Sequence, residues 1–249
     1  MPTDKVRLDV ALVSRGLAGS RERAQALILA GQVTVDGRVV SKAGAAVAGD
    51  AVVALVAPDH PYVGRGGIKL AHALDTFHID PAGRDALDIG ASTGGFTDVL
   101  LQRGAHRVVA LDVGHGQLDW RLRNDPRVVV RERVNARSLT RADVPETVDL
   151  VTIDVSFISL RHIFPPLAPL LPIGADVVAL VKPQFEAGRD EVGAGGLVTD
   201  PAVHDAVVLR TTRDAEHRGL VRIGMAPSAI TGATGNQEFF LHLQKRNPE

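Results

Sequence analysis

Short apolar segments recur through residues 86–243 and alternate with segments of helical or irregular pattern. Seven of these segments have the length of a buried strand: Ala86–Ile89, Arg107–Asp112, Val128–Arg131, Leu150–Asp154, Val177–Val181, Val221–Ala226 and Glu238–Leu243. Strands that alternate with helices are typical of a mainly parallel sheet covered by helices on both faces. The pattern therefore predicts an α/β fold built on a mainly parallel, seven-stranded sheet.

The first 57 residues have a pattern of their own, which predicts a smaller α/β unit. Apolar residues at helical spacing indicate two short helices, one ending near Gly16 and one that begins after Ser20, a suitable N-cap, and ends at Gly31. Valines on both sides of Asp36-Gly37 indicate a hairpin, and later valines would complete a compact sheet by about Val56.

The run Pro58-Asp59-His60-Pro61 interrupts regular structure and indicates a linker. Helical spacing returns at Ile68 and continues to Phe77. We therefore expect a small domain over 1–57, a linker over 58–67 and a larger domain over 68–249.

Composition places the chain among ordinary globular proteins. Of its 249 residues, 45% are hydrophobic and 23% are charged, and no apolar run approaches the roughly 20 residues needed to span a bilayer. Met1–Arg7 carries charges and has no apolar signal region, so we expect a cytoplasmic protein. The chain has no cysteine, and its nine histidines show no ligand spacing. We expect neither a metal nor a membrane as partner.

A glycine-rich loop follows the first strand of the larger domain. Glycines at such a junction allow a tight turn and the close approach of a ligand. The spacing Gly90-x-Ser92-x-Gly94 lacks the third glycine of the dinucleotide fingerprint, and Asp88 suits the cationic amino-acid end of S-adenosylmethionine better than a pyrophosphate. The loop favours S-adenosylmethionine as cofactor, with a purely structural turn as the alternative. Its candidate contacts are Asp88, Gly90, Ala91, Ser92, Thr93, Gly94, Gly95 and Phe96.

Polar residues also follow the second and third strands. Asp112 ends the second strand, about 20 residues after the loop, where a ribose-binding carboxylate belongs, and Val113 lies beside it. Asn135 follows the third strand and either lines the adenine pocket or caps a loop. Trp120, the only tryptophan, is expected in the core or in domain packing. The loop and Asp112 together indicate an adenosyl ligand.

Asp154 and Lys182 stand at the ends of two other strands. Ligands of such sheets bind beyond the carboxyl ends of the strands. A lysine directly after a buried strand loses part of its hydration, which favours its neutral form and allows it to act as a base. Each residue alone is explained more simply as half of an ion pair that caps two strand ends. Together, beside a cofactor cleft, they indicate catalysis.

These features resemble the TlyA (hemolysin A) family of ribosomal RNA 2′-O-methyltransferases, which has the FtsJ-like methyltransferase fold. Around Arg7-Leu8-Asp9 and Ser20-Arg21-Glu22 the chain also resembles an S-four-type RNA-binding module. The resemblance implies a Rossmann-like class I methyltransferase that uses S-adenosylmethionine, preceded by a small α/β RNA-binding domain. The matching segments in the larger domain are Gly64–Leu70, Asp88–Phe96, Asp112–Leu118, Asp154–Leu160, Leu180–Glu186, Gly193–Pro201 and Gly235–Phe239.

The same resemblance implies a Lys-Asp-Lys-Glu tetrad at Lys69, Asp154, Lys182 and Glu238. Two of the five lysines in the chain occupy its positions. In such an enzyme Lys182 would take the proton of a ribose 2′-hydroxyl, that of a cytidine, while the oxygen attacks the sulfonium methyl. Asp154 and Glu238 would hold the two lysines, and Lys69 would place positive charge near the developing alkoxide.

Basic residues are concentrated near the N-terminus, where seven stand against three acids between Lys5 and Lys42. A solvated helical face explains the same charges. The net charge of −1 favours recognition of a folded ribosomal surface over tight, general RNA affinity, so we expect ribosomal RNA or ribosomal subunits as partner. The candidate phosphate contacts are Arg7, Arg15, Arg21, Arg23, Arg38 and Lys42, with Arg65 in the linker.

Three other functions stay open. The same fold can methylate a small molecule or another RNA, or serve as a noncatalytic RNA-binding factor, which the intact tetrad disfavours. A membrane-active hemolysin, suggested by the older family name, is disfavoured because no spanning segment, cationic amphipathic helix or secretion signal is present. The glycine-rich segment Gly188–Thr199 either closes over substrate or is an ordinary loop.

Overall fold

The computed structural model describes residues 5–29, 31–56, 60–144 and 147–247. It divides into two compact units, Met1–Pro61 and Tyr62–Glu249. Residues 1–4 of the charged N-terminus and residues 58 and 59 of the predicted linker lie outside the described residues. In the part of the chain that is described, no helix is both long and apolar enough to cross a bilayer.

The smaller unit combines short helices with short strands. The predicted hairpin is present, with φ values of 49° at Asp36 and 78° at Gly37, the left-handed conformation that a tight type I′ turn requires at both positions. Ser20 Oγ accepts a hydrogen bond from the Arg23 amide at 3.2 Å, as expected of an N-cap. In chain order the elements are β1 (Lys5–Arg7), α1 (Leu8–Ser14), α2 (Arg21–Leu29), β2 (Val33–Val35), β3 (Arg38–Val39), β4 (Ala46–Ala48) and β5 (Val53–Leu55).

The prediction of one compact sheet in this unit is wrong. Strand β5 pairs with β2 in a three-stranded sheet of order β3-β2-β5. Strand β4 instead pairs with β1 in a separate two-stranded sheet. Strand β1 has the sequence Lys-Val-Arg and is exposed at all three positions. Because it lacks apolar alternation, the sequence pattern gave no reason to expect it as the partner of β4.

The larger unit contains the predicted seven-stranded sheet. Its strands are β6 (Asp85–Ile89), β7 (Arg107–Asp112), β8 (Val128–Glu132), β9 (Leu150–Ile153), β10 (Asp176–Val181), β11 (Leu220–Pro227) and β12 (Phe239–Lys245). Its α-helices are α3 (Gly66–Phe77), α4 (Gly95–Gln102), α5 (Trp120–Arg123), α6 (Phe164–Leu167), α7 (Pro183–Glu186) and α8 (Pro201–Glu216).

The strand order across this sheet is β11-β12-β10-β9-β6-β7-β8. Strands β8, β7, β6, β9 and β10 pair in parallel, and β12 is antiparallel to both of its neighbours. The segment between β11 and β12 contains no helix, so it cannot make the crossover that a parallel connection needs. The expectation of a mainly parallel, Rossmann-like sheet is confirmed.

Apolar side chains cover both faces of the sheet. Along β6, Ala86 belongs to the cluster with α3 and α4, whereas Leu87 belongs to the cluster with α6 and α8. This alternation follows from the two-residue period of a strand. Burial on both faces explains why the central strands appear in the sequence as continuous apolar runs.

The prediction of a core position for Trp120 is wrong, since 72% of this residue is exposed. It begins α5, whose buried residue is Leu122. Positions two apart on a helix point in nearly opposite directions, so the burial of Leu122 turns Trp120 outward.

Candidate active site

The ends of neighbouring strands bring the candidate residues to one edge of the sheet. Gly90, Asp112, Asp154 and Lys182 each end or directly follow one of the strands β6, β7, β9 and β10. Glu238 precedes β12, which is antiparallel, and Val181 pairs with Phe239. Lys182 and Glu238 therefore lie at the same edge.

Two close ion pairs occupy this edge. Lys182 Nζ lies 2.6 Å from Asp154 Oδ1 and donates a hydrogen bond to Ser156 Oγ at 3.0 Å. Lys69 Nζ donates to Glu238 Oε2 at 2.5 Å, and both residues are buried. The start of α3, which carries Lys69, lies beside Asp154: a Cβ on Gly66 would be 3.9 Å from Asp154 Oδ2. The structure thus places the two ion pairs close together.

A cleft of about 450 Å³ opens beside Asp154 of the first ion pair. Gly90, at φ +87°, is in its wall, and a Cβ there would lie 2.4 Å from the carbonyl oxygen of Asp154. Glycine is therefore required for the ends of β6 and β9 to approach each other. The residues lining the cleft include Gly90, Ser92, Asp112, Val113, Gln117, Val134, Asn135, Ala136, Asp154, Ser156, Phe157, Ile158 and Ile163.

Asp112 and Asn135 both hold loops and face the cleft. Asp112 accepts hydrogen bonds from the amides of Ser92 at 2.8 Å and Gly114 at 2.7 Å. Asn135 Oδ1 accepts from the Arg137 amide at 3.0 Å at the start of a 3₁₀ turn. Asn135 therefore caps a loop and also lines the cleft, so both predicted positions apply to it. The carboxylate of Asp112 retains lone pairs for further donors.

Asp88 lies beneath the glycine-rich loop rather than in the lining of the cleft. Its carboxyl group is fully buried and accepts hydrogen bonds from Thr97 Oγ1 at 2.7 Å and Thr152 Oγ1 at 3.0 Å. Burial raises the pKa of Asp88 to about 7. In this structure Asp88 ties α4 and β9 to the end of β6 and is not among the residues that line the cleft.

The rest of the loop surrounds a smaller cavity of about 180 Å³. This cavity shares Gly90, Ser92 and Asp154 with the larger cleft, so the two adjoin. Gly94 has a packing role instead, because a Cβ there would lie 2.2 Å from a Leu122 methyl. The smaller cavity is lined by Gly64, Arg65, Gly66, Gly90, Ala91, Ser92, Thr93, Gly95, Phe96 and Asp154.

The basic candidates of the smaller unit fall into groups with different partners. Arg7 and Arg21 both donate to Asp9. Arg15 donates to the carbonyls of Ala51 and Gly49, and Arg23 to that of His60. Arg38 and Lys42 are exposed. Only Arg7 and Arg21 are brought together through a shared side chain in the described contacts.

Sequence reasoning missed two polar side chains that order the loop after β9. Ser156 contacts Lys182, as described above. Glu186 accepts hydrogen bonds from Ser159 Oγ at 2.5 Å and the Leu160 amide at 2.8 Å, and burial raises its pKa. Both residues lie in segments that carry the family resemblance, but no spacing rule singles them out.

The exposed Phe157 was also missed. It has a φ of 62°, a strained value for a bulky residue, and its ring centroid lies 5.1 Å from that of Phe185.

Among the described residues, no group of three or more metal-binding side chains is found.

Comparisons with known proteins agree with this architecture. A family model described as FtsJ-like methyltransferase matches residues 62–245, and one described as S4 domain matches residues 6–53. The 16S/23S rRNA (cytidine-2′-O)-methyltransferase TlyA of Mycobacterium tuberculosis is 50% identical over 96% of this chain and 90% of its own length. Hemolysin A of Brachyspira hyodysenteriae is 41% identical over 96% of this chain and 99% of its own.

A solved structure from Streptococcus thermophilus, carrying the name hemolysin, superposes with a TM-score of 0.77 at 42% identity. It covers 98% of this chain and 90% of its own. The sheet order, glycine-rich loop and cleft define a class I methyltransferase. The chain belongs to the FtsJ-like methyltransferase family and has an S4 domain at its N-terminus. The family resemblance noted in the sequence is confirmed.

Proposed function

We propose that this protein transfers a methyl group from S-adenosylmethionine to a ribose 2′-hydroxyl of ribosomal RNA. The carrying observation is that two ion pairs, the part-buried Lys182–Asp154 and the buried Lys69–Glu238, lie at the edge of the sheet where Asp154 lines the cleft. The name of the Mycobacterium tuberculosis relative supports a cytidine as the target nucleotide. The S4 domain supports RNA as the partner.

The lining of the two cavities fits S-adenosylmethionine. The Asp112 carboxylate can accept from ribose hydroxyls, and Val113, Asn135 and Ile158 offer apolar and amide surface for an adenine ring. The smaller cavity, with Arg65, can hold the amino-acid part. When bound, S-adenosylmethionine supplies an electrophilic sulfonium methyl group.

The two lysines have separate tasks in this proposal. Asp154 and Ser156 hold Lys182 in one orientation, so that its amine, once it has lost its own proton to solvent, accepts the proton of the 2′-hydroxyl as the oxygen attacks. Lys69, fixed by Glu238, places positive charge near the developing alkoxide. Holding both reacting groups in line supplies the remaining acceleration.

The test is methyl transfer to purified ribosomal subunits and to their free RNA, with S-adenosylmethionine labelled in its methyl group. Lys182→Ala should abolish transfer and leave cofactor affinity, measured by calorimetry, close to that of the wild type. Lys245→Ala is a matched control, because Lys245 lies at the far end of β12 and its Nζ donates to the Arg218 carbonyl. No incorporation by the wild type into either subunit or its RNA would contradict the proposal, and full activity of Lys182→Ala would remove Lys182 as the base.

A further inference from the structure

A buried carboxylate in the S4 domain collects side-chain donors from β1 and α2. Asp9 accepts hydrogen bonds from Arg7 Nε at 3.0 Å, Arg7 Nη2 at 2.8 Å and Arg21 Nε at 3.1 Å. Gln25 Nε2 donates at 2.9 Å and the Val10 amide at 3.0 Å. The Asp9 side chain has no exposed surface. This one carboxylate therefore fixes the relative positions of two arginines.

Both arginines remain open to solvent on their other side. The side chains of Arg7 and Arg21 are 52% and 53% exposed. Arg21 binds Asp9 through Nε alone, so its terminal amino groups are not used in that contact, and neither is Nη1 of Arg7. One anchor therefore holds two half-exposed guanidinium groups that keep N–H donors which Asp9 does not use.

The charge of the cluster is also set by this arrangement. The hydrogen bonds from Arg7 hold the pKa of Asp9 well below its usual range, so the carboxylate is ionised. Arg7, Arg21 and Asp9 together carry a charge of +1, and Glu22, whose charge interacts with that of Arg21, offsets it in part.

We propose that Asp9 is a positioning residue for RNA binding, which presents Arg7 and Arg21 as one preformed clamp for a backbone phosphate. This inference rests on the proposed action on RNA. A guanidinium fork matches the geometry of phosphate oxygens, and a side chain that is already ordered loses less rotamer freedom on binding. Phosphate contacts of this kind set the register of a protein on RNA without reading its sequence.

The charge and positioning explanations predict opposite effects of Asp9→Asn. Removing a negative charge next to two arginines should strengthen RNA binding if only net charge matters. If Asp9 positions the arginines, the variant should bind purified ribosomal RNA about tenfold more weakly, since charge-assisted hydrogen bonds are lost. The slope of log affinity against log salt should also fall by about one. Asp36→Asn is the matched control: it changes the net charge of the same domain equally, and asparagine tolerates the φ of 49° at that turn.

A second variant keeps the net charge and the carboxylate. Arg7→Lys combined with Arg21→Lys leaves single ammonium groups, which cannot bind Asp9 and a phosphate at once with the geometry of a guanidinium. We expect a loss of RNA affinity similar to that of Asp9→Asn, with cofactor affinity unchanged in both full-length variants. This variant tests the proposal even where Asp9→Asn lowers the stability of the domain.

The outcomes separate the two proposals. The clamp proposal is overturned if Asp9→Asn binds RNA as tightly as the wild type or more tightly, or if the double lysine variant keeps wild-type affinity. Either result leaves the proposal of methyl transfer intact. A wild type that neither binds nor methylates ribosomal RNA overturns both.

Discussion

At the scale of single residues, the carboxyl groups near the functional edge of the sheet differ in their partners. Asp154 and Glu238 each face a lysine, whereas Asp88 faces two threonine hydroxyls in a fully buried position. A carboxyl group without a cation loses hydration on burial and gains no charge partner, which explains the raised pKa of Asp88.

This raised pKa predicts how stability depends on pH. The folded state holds the Asp88 proton up to about pH 7, whereas the unfolded chain releases it near pH 4. The contribution of Asp88 to the free energy of unfolding therefore decreases between these values, by at most about 1.4 kcal/mol per pH unit. In urea unfolding at pH 5 and pH 7.5, the Asp88→Asn variant should lack this decrease. An identical pH dependence in wild type and variant contradicts the assignment, and Asp80→Asn, at an exposed carboxylate, serves as control.

The ion pair of Lys69 and Glu238 predicts a large loss of stability when one partner is removed. Glu238→Gln leaves the buried Lys69 ammonium without its countercharge, and the free energy of unfolding should fall by about 3 kcal/mol. Glu132→Gln, which breaks the more exposed contact with Arg123, should cost less than about 1 kcal/mol. Equal effects of the two substitutions in denaturant unfolding would show that the Lys69–Glu238 pair is not buried as described.

The sequence indicated some of these residues but not their pairing. Asp154 and Lys182 could be identified because each follows an apolar strand, and such strand ends meet at one edge. Lys69 and Glu238 are 169 positions apart, and no local pattern connects them. The family resemblance named them, and the antiparallel placement of β12 explains how Glu238 reaches this edge.

At the scale of secondary structure, the strands of the seven-stranded sheet were the most predictable elements. All seven strands of this sheet were predicted, and every end agrees with the structure to within two residues. The direction of β12 could not be predicted, because it depends on the connection from β11. Strand β1 and the outward position of Trp120 were missed because hydrophobicity alone does not specify partners or helix orientation.

The close contact between the ends of β6 and β9 predicts a specific effect at Gly90. Gly90 and Gly174 share a φ of +87°, but only Gly90 has an atom within 4 Å of its hypothetical Cβ. Gly174→Ala should therefore show the cost of the backbone conformation alone, about 1 kcal/mol. Gly90→Ala should lose more and should also weaken cofactor binding, because Asp154 must move. Thermal unfolding and calorimetry measure both effects, and equal losses of stability would contradict the steric account.

At the scale of the whole molecule, the chain combines a methyltransferase domain with an S4 domain. The division of labour proposed here assigns phosphate contacts to the smaller unit and chemistry to the larger one. The whole chain has a net charge of −1. This small charge agrees with RNA contacts that are concentrated at few sites instead of a general affinity for RNA.

The position of the transferred methyl group tests the central claim most directly. Ribosomal RNA that has reacted with labelled S-adenosylmethionine can be digested to nucleosides and analysed by mass spectrometry. The account predicts that the label appears on the ribose 2′-oxygen, in 2′-O-methylcytidine, with the wild type and not with Lys182→Ala. Label on a nucleobase, or label that persists with Lys182→Ala, would contradict it.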